Sequence, residues 1–148
     1  MLGGLAKWLR ALGLDVAHDP GLDDPGVVER AENEGRWILT RDRSLVLRRR
    51  ARHRHVLVES VEVPRQIHQV LGELGIEIGP DDLFSRCLRC NEALERVPAE
   101  EARDEVPPYV ARTHDTFHRC PACRRLFWPA THVGRMRRKL EAWGVVGE

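Results

Sequence analysis

Four cysteines in two C-x-x-C pairs, Cys87-Leu-Arg-Cys90 and Cys120-Pro-Ala-Cys123, account for every cysteine in the chain. Each pair forms a tight knuckle that aims two sulfurs at one point, and two knuckles complete the tetrahedral thiolate shell of a structural zinc ion. Four protein ligands leave no open position for catalysis. Iron suits the same ligands. The alternatives, two disulfides or a redox C-x-x-C, do not explain a paired motif in a chain with no secretory signal. His114, His118 and His132 lie near the second knuckle, but four thiols already fill the shell.

A second group of residues offers oxygen ligands. Leu39-Thr40-Arg41-Asp42 places Asp42 at the end of an apolar run that reads as a buried strand, where open α/β sheets put their ligands. Asp23 and Asp24, at the start of the preceding helix, are within reach of the same rim. Carboxylates converging there would hold Mg²⁺ or Mn²⁺, and such an ion activates water and neutralises charge on a phosphodiester. Glu59, at the end of the next strand, is a weaker candidate. Structural roles compete with these: Asp24 as a helix cap before Pro25, and Asp42 as a turn carboxylate paired with Arg41 or Arg43.

Other chemistries find no support. Gly3-Gly4 matches no phosphate-binding spacing, and Ser44, Ser60 and Ser85 lie outside any nucleophile-elbow context. Net charge is only +1, so the chain as a whole has no strong attraction for nucleic acid. The distribution is more telling: Arg48, Arg49, Arg50, Arg52 and Arg54 are interleaved with His53 and His55, and Arg135, Arg137, Arg138 and Lys139 form a second bunch. Such runs grip phosphates through planar guanidinium groups, or are a solvated face in an arginine-rich sequence. Trp128 either packs over a knuckle or stacks on a base.

The elements that must position these groups follow from spacing. Leu2, Leu5, Trp8, Leu9 and Leu12 fall on one stripe of a helix that Gly13 stops. A short extended piece over 14–17 follows, and then a helix from Asp24-Pro25 to Gly35. Trp37-Ile38-Leu39-Thr40 reads as a strand buried on both faces, 44–52 as a helix, 55–59 as a second buried strand, and Pro64 opens a helix ending at Gly75. This alternation predicts an α/β fold with parallel strands. Sheets of this kind usually open on a central strand, so the leading helix implies a missing first strand, the chain being shortened at Met1 or another segment covering the exposed edge. Beyond Gly79-Pro80 the style changes to knuckles and short extended pieces. The expected division is residues 1–80 and 81–148. With 42% hydrophobic residues and no apolar run near the roughly 20 residues needed to span a bilayer, the sequence reads as globular, with no membrane segment, in a cytoplasmic setting that suits thiols held as metal ligands.

Together these segments resemble the C-terminal ribonuclease domain family named after the mut-seven protein, a PIN-like domain with an appended zinc ribbon. The resemblance is carried by Met1-Leu2-Gly3-Gly4-Leu5-Ala6-Lys7-Trp8-Leu9-Arg10 with Leu12-Gly13-Leu14-Asp15, and by Ile38-Leu39-Thr40-Arg41-Asp42-Arg43. In the tail it rests on Ser85-Arg86-Cys87-Leu88-Arg89-Cys90-Asn91, Cys120-Pro121-Ala122-Cys123, Phe127-Trp128 and Thr131-His132. It implies a PIN-like three-layer parallel sheet over 1–80, a zinc ribbon over 81–148, and an acidic cluster binding Mg²⁺ or Mn²⁺ for hydrolysis of RNA. Asp42 matches the family's acidic position after the threonine-arginine pair, Asp24 the one at the second helix, and Asp23 is its nearest substitute. The family's first acidic residue sits on a strand just ahead of the position of Met1, so weak or no cleavage by this chain is expected. Relatives often carry a ubiquitin-like domain upstream. The competing expectation is a non-catalytic RNA-binding module, or a protein-interaction module built on the zinc ribbon.

Overall fold

The computed structural model describes residues 2–47 and 54–147. Five of the residues in the first basic run, Arg48, Arg49, Arg50, Arg52 and His53, lie outside the described residues, as does the end of the helix expected over 44–52. The chain is a mixed α/β protein of two compact units: residues 1–6 with 17–77, and residues 7–16 with 78–148. The boundary falls inside the first helix, α1 (Gly3–Ala11), so the segment 7–16 groups with the cysteine-bearing half.

In the first unit, helix α2 (Asp24–Glu34) opens on Asp23, whose side chain accepts from the Gly26 amide at 2.9 Å. The cap is therefore Asp23, and Asp24 is the first helical residue. An N-cap aspartate is worth about 1 kcal/mol over alanine. Gly35 ends the helix at φ 66°, a left-handed position that suits glycine. Strand β1 (Ile38–Thr40) pairs in parallel with β2 (His55–Leu57), Ile38 opposite His55 and Thr40 opposite Leu57. Trp37 is 49% exposed and stays outside the strand, because only Ile38 and Thr40 turn their side chains fully inward. The described residues thus give a two-stranded parallel pair, smaller than the sheet the sequence suggests.

Beyond β1, helix α3 (Arg43–Val46) is a single turn. Val28 and Ala31 of α2 pack with Ile38 of β1 and Leu45 of α3 in one apolar cluster. Helix α4 (Val63–Leu74) buries Ile67 and Val70. Gln69 of α4 donates to the Leu57 carbonyl at 2.7 Å and accepts from the Glu59 amide at 3.0 Å, so a side chain completes the hydrogen bonding where β2 runs out.

The second unit contains an antiparallel sheet of β3 (Glu95–Val97), β4 (Phe117–Arg119) and β5 (Leu126–Phe127), in that order. Between β3 and β4 run helices α5 (Ala99–Ala102) and α6 (Pro108–Thr113). Ala102 of α5, Val106 and Val110 of α6 pack on Val97 and Phe117, with Leu126 and Trp128 against them. Trp128 is therefore a core residue, its ring 6.3 Å from that of Phe117. Helix α7 (Thr131–Ala142) ends the fold, and Trp143 beyond it meets Trp8 edge-on at 4.7 Å between ring centroids. No helix among the described residues is long and apolar enough to cross a membrane.

Gly13 joins α1 to this unit at φ 90°, and a Cβ there would lie 2.4 Å from the Asp82 carbonyl oxygen. Backbone cannot yield as a flexible side chain would. Gly13→Ala should lower stability by about 1–3 kcal/mol, read as a drop in the denaturant midpoint of the intact chain; an unchanged midpoint would contradict the close approach.

Candidate metal centre and acidic helix starts

The two knuckles are built alike. Cys87 and Cys120 each receive, at their sulfur, the amide of the cysteine three residues on, at 3.4 and 3.5 Å. Each also accepts at its carbonyl from the next amide, Asn91 or Arg124, at 2.9 Å. Their own amides donate to the carbonyls of Glu92 (2.8 Å) and Arg125 (3.0 Å). Closing so tight a loop forces Asn91 to φ 64° and Arg124 to φ 65°. Asparagine tolerates that region; arginine is strained there and is held by the bonds around it. One knuckle follows the bridge between Arg86 and Ala93, the other tips the β4–β5 hairpin.

The result is convergence. The four sulfurs lie within 4.8 Å of one another, and the cysteines carry no disulfide. Cys87 and Cys120 are buried. Burial and the crowding of neighbouring thiols push Cys90 up to about 12, and burial likewise raises Cys87. Hydrogen bonding from the Arg125 backbone brings Cys123 down to about 7. Sulfurs this close resist becoming four anions unless a cation sits among them, so the donor set and its spacing fit a thiophilic ion such as structural zinc.

Residues 7–16 brace the first knuckle. Arg10 donates to the carbonyls of Leu88 (2.8 Å) and Arg89 (3.4 Å), the two residues between Cys87 and Cys90, and to Val16 at 2.9 Å. Burial lowers the Arg10 pKa while Cys87 and Cys90 act to raise it, the signature of a cation set beside incipient thiolates. The Asn91 side chain donates to Asp15 at 2.7 Å and accepts from the Val16 amide at 2.9 Å. Arg86 donates to the Asn91 carbonyl at 2.7 Å. No local pattern points to Arg10 as a brace, because its partners in the knuckle lie 78 and 79 residues away.

The histidines near the second knuckle stand apart from the metal group. His114 bonds through its two ring nitrogens to Thr113 Oγ1 and the Pro129 carbonyl, both at 3.0 Å.

The acidic candidates all belong to the first unit and sit at helix starts. Asp42 caps α3, one oxygen accepting from the Ser44 amide (2.9 Å) and hydroxyl (2.6 Å), and its own amide donates to Thr40 Oγ1 at 3.0 Å. Asp23 caps α2, and Asp24 follows it in the first turn. Glu59 is exposed after β2. Among the described residues the four cysteines are the group of three or more metal-ligating side chains that closes on one point, and Asp23, Asp24 and Asp42 do not gather in that way. Beside Asp42, Nε of Arg41 is buried with no hydrogen-bond partner among the described residues.

A family model described as the Mut7-C RNAse domain matches residues 1–140 of the 148, and the chain belongs to that family. No curated protein and no solved structure matches it.

If Arg10 holds the first knuckle in register, its loss should weaken metal binding without removing a ligand. Outer partners of metal sites are worth roughly 10- to 100-fold in affinity. Arg10→Ala should therefore bind Co²⁺ about that much more weakly in competition against a chromophoric chelator, with the thiolate-to-cobalt absorption unchanged at saturation. Because protons compete for the raised thiols, affinity in both chains should fall with falling pH. Equal affinities would show that the knuckle needs no brace.

Proposed function

We propose that this member of the Mut7-C RNAse domain family is a metal-dependent ribonuclease that hydrolyses RNA phosphodiester bonds, with a zinc-stabilised ribbon. The observation that carries the reading is the family match over residues 1–140. In sequence order we read residues 1–80 as a PIN-like nuclease part and 81–148 as the zinc ribbon, acting in the cytoplasm. Cys87, Cys90, Cys120 and Cys123 hold the zinc, which is structural because the thiols fill its shell.

Asp42, Asp24 and Asp23 are the carboxylates that would hold Mg²⁺ or Mn²⁺. Their donor chemistry fits a hard cation, and the amides bonded to Asp42 and Asp23 fix both carboxylates in orientation. A divalent ion supplies charge neutralisation at the phosphodiester and an activated water. Thr40 orients the turn by accepting from the Asp42 amide. Arg41 contributes a cation whose buried Nε lacks a partner among the described residues. A buried donor left unpaired is costly, and a phosphate oxygen would satisfy it.

One observation favours the second reading, a non-catalytic RNA-binding or protein-interaction module. Two of the three carboxylates are engaged as helix caps, and the three do not close on one point as the thiols do. The two readings part on cleavage. With Mn²⁺ and single-stranded RNA, the natural full-length protein should cut, and its Asp42→Asn variant should cut at least 100-fold more slowly, since the amide keeps the cap but loses the anionic ligand. RNA bound by the wild type and never cut, or Asp42→Asn cutting at the wild-type rate, would falsify the catalytic reading and leave the module.

A further inference from the structure

Helix α7 is anchored by Met136 and Leu140, both buried and four residues apart, which fixes the side it turns inward. Arg135, Arg138 and Lys139 fall away from that side and all three are exposed. They are helix neighbours, Arg135 lying three residues before Arg138 and four before Lys139. Among the described residues none of the three side chains has a hydrogen bond, ion pair or ring contact.

Four arginines of the same unit are engaged within it, though Arg89, Arg96, Arg103, Arg112, Arg124 and Arg125, like the α7 cations, have no side-chain partner among the described residues. Arg10 and Arg86 donate to backbone carbonyls, Arg119 donates to the Arg124 carbonyl and pairs with Glu105, and Arg137 lies over the Phe84 ring at 5.7 Å. Like charges three and four residues apart destabilise a helix, so this face opposes the helix that carries it. A merely solvated face would explain the exposure. It does not explain Gly134, one turn before Arg138, where an added Cβ would meet nothing within 4 Å. Glycine is a poor helix residue, and no neighbour in the fold requires it here. What it leaves is bare backbone beside three unused cations, a place where another chain's backbone can come close.

We propose that the outward face of α7, Gly134 with Arg135, Arg138 and Lys139, binds the phosphate backbone of single-stranded RNA. The two guanidinium groups suit bidentate contact with phosphate oxygens, and Lys139 adds a point charge. Side chains at these spacings stand about 5–6 Å apart at Cβ, comparable to the step between successive phosphates of an extended strand. The proposal rests on the ribonuclease reading only for the choice of RNA as the polyanion.

The test uses the whole chain and a fluorescent oligouridylate in a salt series without added Mg²⁺ or Mn²⁺, so that binding is read apart from cutting. Each phosphate contact on a single strand contributes about 0.7 to the slope of log affinity against log salt. The triple variant Arg135→Gln, Arg138→Gln, Lys139→Gln should lose about 2 in that slope and at least tenfold in affinity, with wild-type circular dichroism and metal content. Arg135→Lys with Arg138→Lys should keep the slope. A triple variant with the wild-type slope and affinity overturns the proposal, as does a wild-type chain that ignores RNA but binds phosphatidylserine vesicles or polyglutamate. The two readings fail separately. Cleavage by the natural full-length protein alongside unaltered binding by the triple variant removes only the α7 surface, whereas α7-dependent binding with no cleavage by the natural full-length protein under Mn²⁺ removes only the ribonuclease.

Discussion

Four sulfurs within 4.8 Å of one another are a packing of potential anions, and the second unit is arranged around that constraint. Its thiols titrate unevenly, Cys90 driven up by burial and its neighbouring thiols, Cys123 drawn down by the Arg125 backbone and its neighbouring thiols. A dication removes the conflict by making each thiolate favourable to its neighbours. In small modules of this kind metal binding and folding are one equilibrium. The sheet of β3, β4 and β5 is short, with strands of two or three residues, and would be marginal by itself. The apolar cluster around Phe117 supplies part of what the ladder lacks, and an ion held by the four thiols would supply more.

Arg10 extends that centre into the first helix. Its guanidinium meets carbonyls within one knuckle, and its charge lies beside the thiols of the same knuckle. Residues 7–16 consequently group with the cysteine-bearing unit although residues 1–6 do not. A cation that both satisfies carbonyls and offsets thiolate charge does two tasks, and lysine could not reproduce its fork of donors.

The knuckles, the stop at Gly13, the helix ends at Gly35 and Gly75 and the parallel pairing were legible because each is written in local pattern: ligand spacing, glycine after an apolar stripe, apolar runs separated by a helix. The failures were of two kinds. Strand ends moved inward at Trp37 and at Glu59 because apolar character alone does not say where pairing stops; that depends on which residues find a neighbour and on a side chain such as Gln69 taking over the last bonds. The other failure was long range. The bracing by Arg10 and Asn91 and the core role of Trp128 depend on residues far apart in sequence, and the helices between β3 and β4 draw their stability from that same core.

Asp23 and Asp42 show why a capping carboxylate is a poor guide to function when read from spacing alone. Each accepts from the amide of a residue two or three positions on, which is what any helix start favours, and asparagine or serine would serve that purpose about as well. The capping bond therefore explains an oxygen at these positions and does not by itself call for a charge. At Asp42 the charge has a further consequence, because the neighbouring strand-end cation, Arg41, carries a buried donor without a partner among the described residues. A negatively charged ligand drawn to Arg41 would be repelled by Asp42 unless a cation stood between them. A phosphodiester brought in with a divalent ion meets both demands, whereas a bare anion meets only one. The capping bonds can then persist while the charge is used elsewhere, so the cap and a metal-binding role are compatible.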